Sequence, residues 1–431
     1  MSRETQLDLF DVGHEEPAAC QANSTTFIDN MRLPVHRWFR YSAGFSAEWA
    51  RSVIADFASR RPTRVLDPFA GSGTTLIVAE DLGAESYGVE AHPFIFRIAK
   101  AKLLRRSDPE AYREFASGVY RAAKRHKPEI DAYPVLIRKC YEDEALSGLD
   151  QLRRAYEERA HDSDASTLTW LTLVGILRKV SHVGTAQWQY VLPKKSKKGR
   201  LDPFVAFRQQ MDMICHDMCL SSRLKGPPAR IIESDARTCD AVPSGFATLV
   251  VTSPPYPNNY DYADATRLEM TFVREIDGWG DLQRAVRRFL VRSCSQHVPE
   301  RSIELDRVLM SPELEPIRSE ISAVCGQLAE VRKTKGGKKT YHLMVACYFL
   351  DLAQTWLALR RVCDSACDVC FVLGDSAPYG VYVPVIDWMG RIAVCAGFKG
   401  YRFERTRDRN VKWKNRKHRV PLCEGRLWVE G

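Results

Sequence analysis

Residues 65–75 read VLDPFAGSGTT and place a glycine-rich turn between a short apolar strand and a helix. Gly71 and Gly73 lack a Cβ, so the backbone of this turn can adopt positive φ and approach a ligand closely. A nucleoside-triphosphate loop would end in a lysine, and a dinucleotide-binding turn would carry a third glycine where this chain has Leu76. The turn therefore predicts the start of a parallel α/β sheet that binds a different ligand.

Three acidic residues are predicted at the carboxyl ends of strands. Asp67 ends the strand at 64–66, Glu90 follows the strand at 86–89, and Asp235 follows the strand at 230–233. The carboxyl ends of parallel strands form one binding edge, so we expect these carboxylates to face one ligand. Asp67 would attract an ammonium group, Glu90 would accept hydrogen bonds from ribose hydroxyls, and Asp235 would accept from an adenine amino group. Together these groups indicate S-adenosylmethionine.

A second motif, VTSPPY at residues 251–256, begins at the end of an apolar strand predicted at 247–252, so that Ser253 directly follows the strand. Two consecutive prolines fix φ and cannot continue a strand, so they predict a rigid turn at the same edge. An amino nitrogen on a nucleic-acid base is a poor nucleophile because its lone pair is delocalised into the ring. The Ser253 hydroxyl and a carbonyl of the turn can accept its N–H hydrogens and free that lone pair, while Tyr256 offers a ring for an extruded base.

The motifs DPFAGSGTT, YGVEAHP and TSPPY together resemble the signature set of bacterial S-adenosylmethionine-dependent DNA amino-methyltransferases. The Ser-Pro-Pro-Tyr form is similar to the N4-cytosine branch of that family. The resemblance implies cofactor contacts at Asp67, Phe69, Gly71, Gly73, Glu90 and Asp235. It implies catalysis by Ser253, Pro254, Pro255 and Tyr256.

The resemblance also implies an activity and a substrate. We expect a DNA (cytosine-N4-)-methyltransferase that acts on double-stranded DNA with a flipped target base, in a restriction-modification or related system. N6-adenine methylation is the alternative within the family. A non-catalytic DNA-binding protein is the alternative outside it, and such a protein would be expected to show decay of one of the two motifs. Both are intact.

The pattern of strands and helices predicts an α/β fold, a doubly wound Rossmann-like methyltransferase sheet with two large, mainly helical insertions. Helical spacing recurs at 95–104, 109–124, 142–159 and 167–180, and later strands are predicted at 369–373 and 400–406. The predicted division is a mobile tail at 1–25, a cofactor half at 26–93, a helical insertion and possible DNA-recognition region at 94–229, a catalytic part at 230–272, a second helical insertion at 273–366, and a C-terminal part with a basic tail at 367–431.

Basic residues are concentrated in three stretches of a chain whose formal net charge is +9. These stretches are residues 194–200 (KKSKKGR), residues 332–339 (RKTKGGKK) and residues 399–419, where aromatic residues interleave. Clusters of this kind can neutralise phosphates and release counterions, which favours a polyanionic partner such as DNA.

The thirteen cysteines are an odd number, and the N-terminus lacks an apolar signal segment, so we expect reduced thiols and a cytoplasmic location. The apolar runs at 247–252 and 369–373 are too short to span a membrane. Periodicity places Cys363 and Cys367 near the end of a helix and Cys370 in the next strand. We interpret all three as buried structural thiols and predict no metal site.

The N-terminal tail contains QLDLF, from Gln6 to Phe10. This segment resembles the short peptide by which bacterial DNA-handling proteins dock on the replication sliding clamp. A mobile tail could present its two leucines and its phenylalanine to an apolar pocket. The sliding clamp is therefore a second expected partner.

Overall fold

A computed structural model describes residues 27–41, 44–185, 190–258, 260–298, 303–336, 339–409 and 420–431. The tail at 1–25, with its QLDLF segment, lies outside the described residues. So do residue 259 in the loop after the Ser-Pro-Pro-Tyr motif and residues 410–419 of the third basic stretch.

The described residues form a seven-stranded sheet and a separate two-stranded hairpin. The strands are β1 (Arg64–Asp67), β2 (Glu85–Glu90), β3 (Val183–Thr185), β4 (Val191–Ser196), β5 (Arg230–Glu233), β6 (Ala247–Thr252), β7 (Cys363–Gly374), β8 (Gly400–Arg409) and β9 (Leu422–Glu430). The sheet has the order β5-β2-β1-β6-β7-β9-β8, and β3 pairs with β4. The first five strands of the sheet run parallel, and β9 runs antiparallel to both β7 and β8. The predicted α/β class is confirmed.

Helices cover both faces of this sheet. They are α1 (Ala47–Ala58), α2 (Thr74–Asp81), α3 (Pro93–Leu103), α4 (Pro109–Ala123), α5 (Val135–Arg138), α6 (Asp143–Glu157), α7 (Asp164–Val180), α8 (Pro203–Ser221), α9 (Tyr262–Ala265), α10 (Arg267–Phe272), α11 (Leu282–Ala285), α12 (Leu305–Leu309), α13 (Arg318–Thr334), α14 (Tyr341–Val362) and α15 (Val385–Cys395). Successive strand residues point to opposite faces, so Val65 and Val251 pack with α1 and α2 while Leu66 and Val250 pack with α14 and α15.

The helices between β2 and β5 build an apolar cluster of their own. Helices α4, α6, α7 and α8 contribute buried residues such as Tyr112, Leu149, Leu171 and Phe207 to one cluster, which α3 joins. Asp108, Ser163 and Asp202 accept hydrogen bonds from backbone N–H groups at the starts of α4, α7 and α8, as caps do. The four helices expected from spacing in this region are therefore present, with ends shifted by up to three residues.

The C-terminal region differs most from expectation. Residues 422–430 were not predicted as a strand, yet β9 lies between β7 and β8 in the sheet. Its side chains alternate, with Leu427 and Val429 buried, which is the pattern of a strand covered on one face. The prediction that Cys363 and Cys367 end a helix was wrong, because α14 ends at Val362 and both residues lie in β7. Their expected burial, and that of Cys370, is confirmed.

Helix α14 is long and apolar enough to cross a membrane by length and composition. Within the fold, 78% of its most apolar window is buried by other parts of the protein. Its side chains, including Trp356, pack against the strands and α15, as those of a core helix do.

Candidate active site

A cavity of about 800 Å³, including its open mouth, lies at the carboxyl edge of β1, β2, β5 and β6. Six of the residues predicted for the site line the cavity: Phe69, Gly71, Glu90, Asp235, Ser253 and Pro255. The structure thus brings both motifs to one cavity, as the strand order requires.

The glycine turn shapes one wall of this cavity. Gly71 has φ +53°, and a Cβ there would lie 3.3 Å from the Tyr41 ring, so a side chain would be both strained and crowded. Gly73, with φ +85°, is the residue before α2 and does not line the cavity. Tyr41 is buried and lines the same wall, although no motif in the sequence pointed to it.

Asp67 is buried beneath the turn rather than exposed in the cavity. Its carboxylate accepts hydrogen bonds from the Thr75 hydroxyl at 2.6 Å, the Thr252 hydroxyl at 2.5 Å and the Phe69 N–H at 3.0 Å. Burial raises the pKa of Asp67 to about 6, although these bonds act in the opposite direction. Asp67 therefore ties β1 to α2 and β6, and its predicted contact with an ammonium group stays a prediction.

Glu90 lines the cavity and supports the turn at the same time. One carboxylate oxygen accepts from the Gly71 N–H at 2.7 Å and the other from the His92 N–H at 2.8 Å. Burial raises the pKa of Glu90 to about 7 against the effect of those bonds. Each carboxylate oxygen has two lone pairs, so Glu90 retains the capacity to accept from a ligand hydroxyl.

Asp235 also lines the cavity, where it is already paired with a cation. The Arg237 guanidinium donates to its carboxylate at 2.6 to 2.9 Å and lies 3.4 Å from the buried carboxylate of Asp351. The sequence analysis, which considered only acidic residues at strand ends, did not predict Arg237 as a partner of Asp235. Asp235 therefore presents acceptor oxygens to the cavity with much of its negative charge compensated.

The Ser-Pro-Pro-Tyr turn follows β6 directly, and Ser253 and Pro255 reach the cavity while Pro254 is buried. The Ser253 hydroxyl donates to the Val372 carbonyl at 3.1 Å. This bond directs the hydroxyl proton toward β7, and the oxygen can still accept a hydrogen bond, with the Tyr256 hydroxyl also within reach. The arrangement suits a site in which Ser253 accepts a hydrogen bond from a substrate amino group.

Tyr256 is half-buried, and one contact of its ring was not expected. The Arg409 guanidinium lies 5.0 Å from the ring centroid, at the end of β8, and donates to the Asp375 carbonyl at 2.7 Å. Arg409 lies in the basic stretch at 399–419, for which the sequence predicted only contacts with a polyanion. In the structure its guanidinium links the Ser-Pro-Pro-Tyr motif to the sheet through a cation–π contact with Tyr256.

The loop after the turn folds back as α9 and α10. Asp261 starts α9 and is paired with Arg287 at 2.7 Å and His297 at 3.3 Å. Although burial alone would raise it, the hydrogen bonds from His297 and Arg287 lower the pKa of Asp261 to about 2. Tyr260 is buried against Tyr190 and Tyr262, and Tyr262 lines the cavity. The loop is thus part of the cavity wall rather than a free surface segment.

The first of the three basic stretches, residues 194–200, begins within β4. Its exposed lysines are Lys194, Lys195 and Lys198. Lys197 is half-buried and donates to the Arg178 carbonyl, while Arg200 forms an ion pair with Glu142 at 2.8 Å. The three exposed lysines are therefore the members of this stretch that remain available to phosphates.

Residues 19–101 match a family model described as DNA methylase, whose name covers both N6 and N4 enzymes. Over these residues the chain is similar to DNA methylases. The Type II methyltransferase M.BsoBI of Geobacillus stearothermophilus is 24% identical to this chain over 438 residues, which cover 89% of this chain and 82% of that relative. The Type II methyltransferases M.AvaI of Nostoc sp. and Anabaena variabilis are each 24% identical over 410 residues, with 86% and 81% covered. No solved structure matches the chain significantly.

S-adenosylmethionine is the methyl donor of DNA methylases, and the residues that line the cavity fit it. A side chain at Gly71 would crowd this wall of the cavity, because its Cβ would lie 3.3 Å from the Tyr41 ring. Glu90 and Asp235 place acceptor oxygens at the ends of β2 and β5. The half-buried ring of Phe69 adds an apolar surface between them. The donor and acceptor set therefore suits a cationic nucleoside with free hydroxyls.

Proposed function

We propose that the protein transfers a methyl group to the exocyclic N4 amino group of cytosine in double-stranded DNA. We further propose that it is the modification enzyme of a restriction-modification or related system in the cytoplasm. The observation that supports the reaction is that Ser253 lines the cavity directly after β6 while its hydroxyl donates to the Val372 carbonyl, so that its oxygen can still accept a hydrogen bond. The Type II methyltransferase names of the relatives support the biological setting.

In this proposal the chain supplies positioning and hydrogen-bond acceptors rather than a strong base. S-adenosylmethionine supplies an electrophilic methyl group on a sulfonium. Ser253 and a carbonyl of the rigid turn accept the two N–H hydrogens of the target amino group, which localises the nitrogen lone pair. The nitrogen bonds to the methyl carbon as the carbon–sulfur bond breaks and its electron pair stays on sulfur. The cationic nitrogen then loses a proton to solvent.

The cofactor contacts are assigned to residues of the glycine turn and the strand ends. Glu90 would accept from ribose hydroxyls, and Asp235, supported by Arg237, would accept from the adenine amino group. Asp67 would act on the amino-acid portion through the turn that it anchors, together with Gly71 and Gly73. Tyr256, whose ring has Arg409 over one face, would stack on the extruded base.

The test is expression in a bacterial host that lacks DNA methyltransferases, followed by nucleoside mass spectrometry of genomic DNA. We expect N4-methylcytosine from the wild-type protein and none from Ser253→Ala, while cofactor binding persists in that variant. N6-methyladenine as the product would replace cytosine by adenine in the proposal. Absence of any methylated base, with intact DNA binding, would leave a non-catalytic DNA-binding protein. Sequencing of modified positions in the same DNA would give the recognised site.

Docking on the sliding clamp through Gln6 to Phe10 also remains a proposal. A peptide covering residues 1–15 would be titrated with the clamp by fluorescence anisotropy. Binding that Leu9→Ala and Phe10→Ala abolish would support it, and binding insensitive to both changes would contradict it.

A further inference from the structure

Tyr379 occupies a backbone conformation that tyrosine rarely adopts. It has φ +53° and ψ +16°, and Gly380 after it has φ +84°. The Val381 N–H donates to the Pro378 carbonyl at 3.0 Å, so residues 378–381 form a type I′ turn with Tyr379 at its first central position. Asparagine, aspartate and glycine are favoured there, since a bulky side chain at positive φ is strained. Strain of this kind is found where function requires a side chain in one direction.

The turn lies beside the exit from the Ser-Pro-Pro-Tyr motif. Ser376 forms a bridge with Val383 across the base of the turn, and its hydroxyl donates to the Pro257 carbonyl at 2.9 Å. The carbonyl that accepts this bond belongs to the residue directly after Tyr256. The strained turn is therefore attached to the segment that we place against the target base.

The Tyr379 ring is held in place from a second side. It forms a T-shaped contact with the Tyr341 ring, with ring centroids 4.6 Å apart and an interplanar angle of 70°. The Tyr341 hydroxyl hydrogen-bonds the side chain of Asn258, two residues after Tyr256. Asn258 itself has φ +59°, and its N–H donates to the Ser293 carbonyl at 2.7 Å. Tyr379, Tyr341 and Asn258 thus contact one another in series beside the end of the Ser-Pro-Pro-Tyr turn.

The surroundings carry positive charge as well as aromatic surface. Lys339 lies 6.0 Å from the centre of the Tyr341 ring, and Lys335 is exposed at the end of α13. Both belong to the basic stretch at 332–339. Aromatic rings beside lysines suit a nucleic-acid strand, because the rings stack on bases while the cations neutralise phosphates.

We propose that Tyr379 contacts the DNA directly, by stacking its half-buried ring on a base of the target strand beside the segment that follows the Ser-Pro-Pro-Tyr turn. This inference rests on the proposed function and adds a residue that no motif of the sequence contains. The strained type I′ turn is retained because it aims the ring, and Tyr341 and Asn258 position it. Asparagine would fit the turn better, so the tyrosine is explained by its ring and not by the turn.

The test compares Tyr379→Asn, which relieves the strain and removes the ring, with Tyr379→Phe, which keeps the ring. For Tyr379→Asn we expect a thermal midpoint equal to or slightly above that of the wild type. We expect the dissociation constant for a fluorescein-labelled duplex carrying the methylated site to rise about tenfold, which is within the range for loss of one stacked base. Calorimetry should show S-adenosylmethionine affinity within about twofold of wild type. Tyr379→Phe should bind the duplex like the wild type.

Arg274→Gly provides a matched control, since Arg274 also has positive φ (+62°) but lies in the segment after α10. It should raise the thermal midpoint without changing DNA affinity. The proposal is overturned if Tyr379→Asn binds the duplex like the wild type, or if Tyr379→Phe loses as much affinity as Tyr379→Asn. It is also overturned if the loss comes with a lower thermal midpoint, because the role is then structural. Failure of the wild-type protein to methylate DNA would contradict the proposed function, and the comparison of the two Tyr379 variants on a labelled duplex of random sequence would then test the contact of Tyr379 separately.

Discussion

The cofactor side of the cavity and its substrate side are built in different ways. On the cofactor side, residues 67–92, Glu90 supports Gly71 from nineteen positions away and His92 from two. On the substrate side, residues 253–258, Ser253 bonds Val372 and Pro257 is bonded by Ser376, each across 119 positions. The glycine turn and Glu90 thus support each other within one continuous segment, to which the fold adds Asp235 and Tyr41. The Ser-Pro-Pro-Tyr turn is instead held by side chains and carbonyls that meet it only in the fold.

This difference predicts that changes on one side leave the other nearly intact. Residues on the cofactor side should change the affinity for S-adenosylmethionine and leave DNA binding alone. Residues on the substrate side should do the reverse. Sites that share no partners contribute independently in most proteins, so each variant tests the separation.

Ser253→Ala should have the largest effect. We expect the single-turnover methylation rate to fall about 100-fold, because one of two acceptors for the target amino group is lost. The dissociation constant for S-adenosylmethionine should stay unchanged by calorimetry. A wild-type rate in the variant would remove Ser253 from the mechanism, and weaker cofactor binding would show that the two sides are coupled.

Glu90→Gln should weaken S-adenosylmethionine binding at least tenfold, equivalent to about 1.4 kcal/mol or more. A glutamine retains one acceptor oxygen and cannot receive both the Gly71 and His92 N–H groups together with ribose hydroxyls. DNA affinity measured without cofactor should not change. Equal cofactor affinity in variant and wild type would contradict the assignment of Glu90.

Cofactor affinity should also depend on pH. The pKa of Glu90 is raised to about 7 and that of Asp67 to about 6, both by burial, and only the ionised forms attract a cation. As pH falls from 8 to 6, affinity should therefore weaken, with a slope approaching tenfold per pH unit below the pKa of Glu90. Calorimetry in buffers of different ionisation enthalpy should detect proton release near pH 7, and Glu90→Gln should show a flatter profile.

The same shifts have the opposite sign for stability of the cofactor-free protein. A carboxyl group whose pKa is raised by folding stabilises the fold below its unfolded pKa and loses that contribution as pH rises through the folded value. These two groups therefore favour greater stability of the cofactor-free protein at pH 5 than at pH 8. S-adenosylmethionine should reduce that difference in a thermal-unfolding series.

Arg409→Gln should raise the KM for DNA about fivefold, which corresponds to loss of a partly buried cation–π contact. The change removes the guanidinium from the Tyr256 ring and from the Asp375 carbonyl without touching the cofactor side. Steady-state kinetics at saturating cofactor would measure it. A change confined to the KM for S-adenosylmethionine would place Arg409 on the wrong side of the comparison.

Replacing Lys194, Lys195 and Lys198 together by glutamine should have the smallest effect at low salt. All three are exposed, so the fold should be unaffected. If each neutralises one phosphate, the slope of log affinity against log salt should fall by about 0.9 per residue. Arg200→Gln is the matched control because its charge is already paired with Glu142. An unchanged slope in the triple variant would assign these lysines to solvated surface.

The predictions from the sequence were accurate where local chemistry demands a residue type. Glycines at positive φ, prolines that end a strand, and apolar alternation specified β1, β2, β5 and β6 and both motifs. They were less accurate where the apolar pattern was weak or was compatible with both a helix and a strand. Helix α14 was extended through Cys367 because an apolar helix and an apolar strand look alike at their junction. Strand β9 was missed because its charged residues masked the alternation.

The amino-acid sequence predicted the fold class, the glycine turn and the Ser-Pro-Pro turn, because these depend on backbone conformations that only certain residues adopt. Tertiary structure alone decided which groups those turns meet. It buried Asp67 under three donors, paired Asp235 with Arg237, directed the Ser253 proton to Val372 and placed Arg409 on Tyr256. The physical reason is that a hydrogen-bond or ion-pair partner is chosen by proximity in the folded chain, and strand order, not sequence distance, sets that proximity.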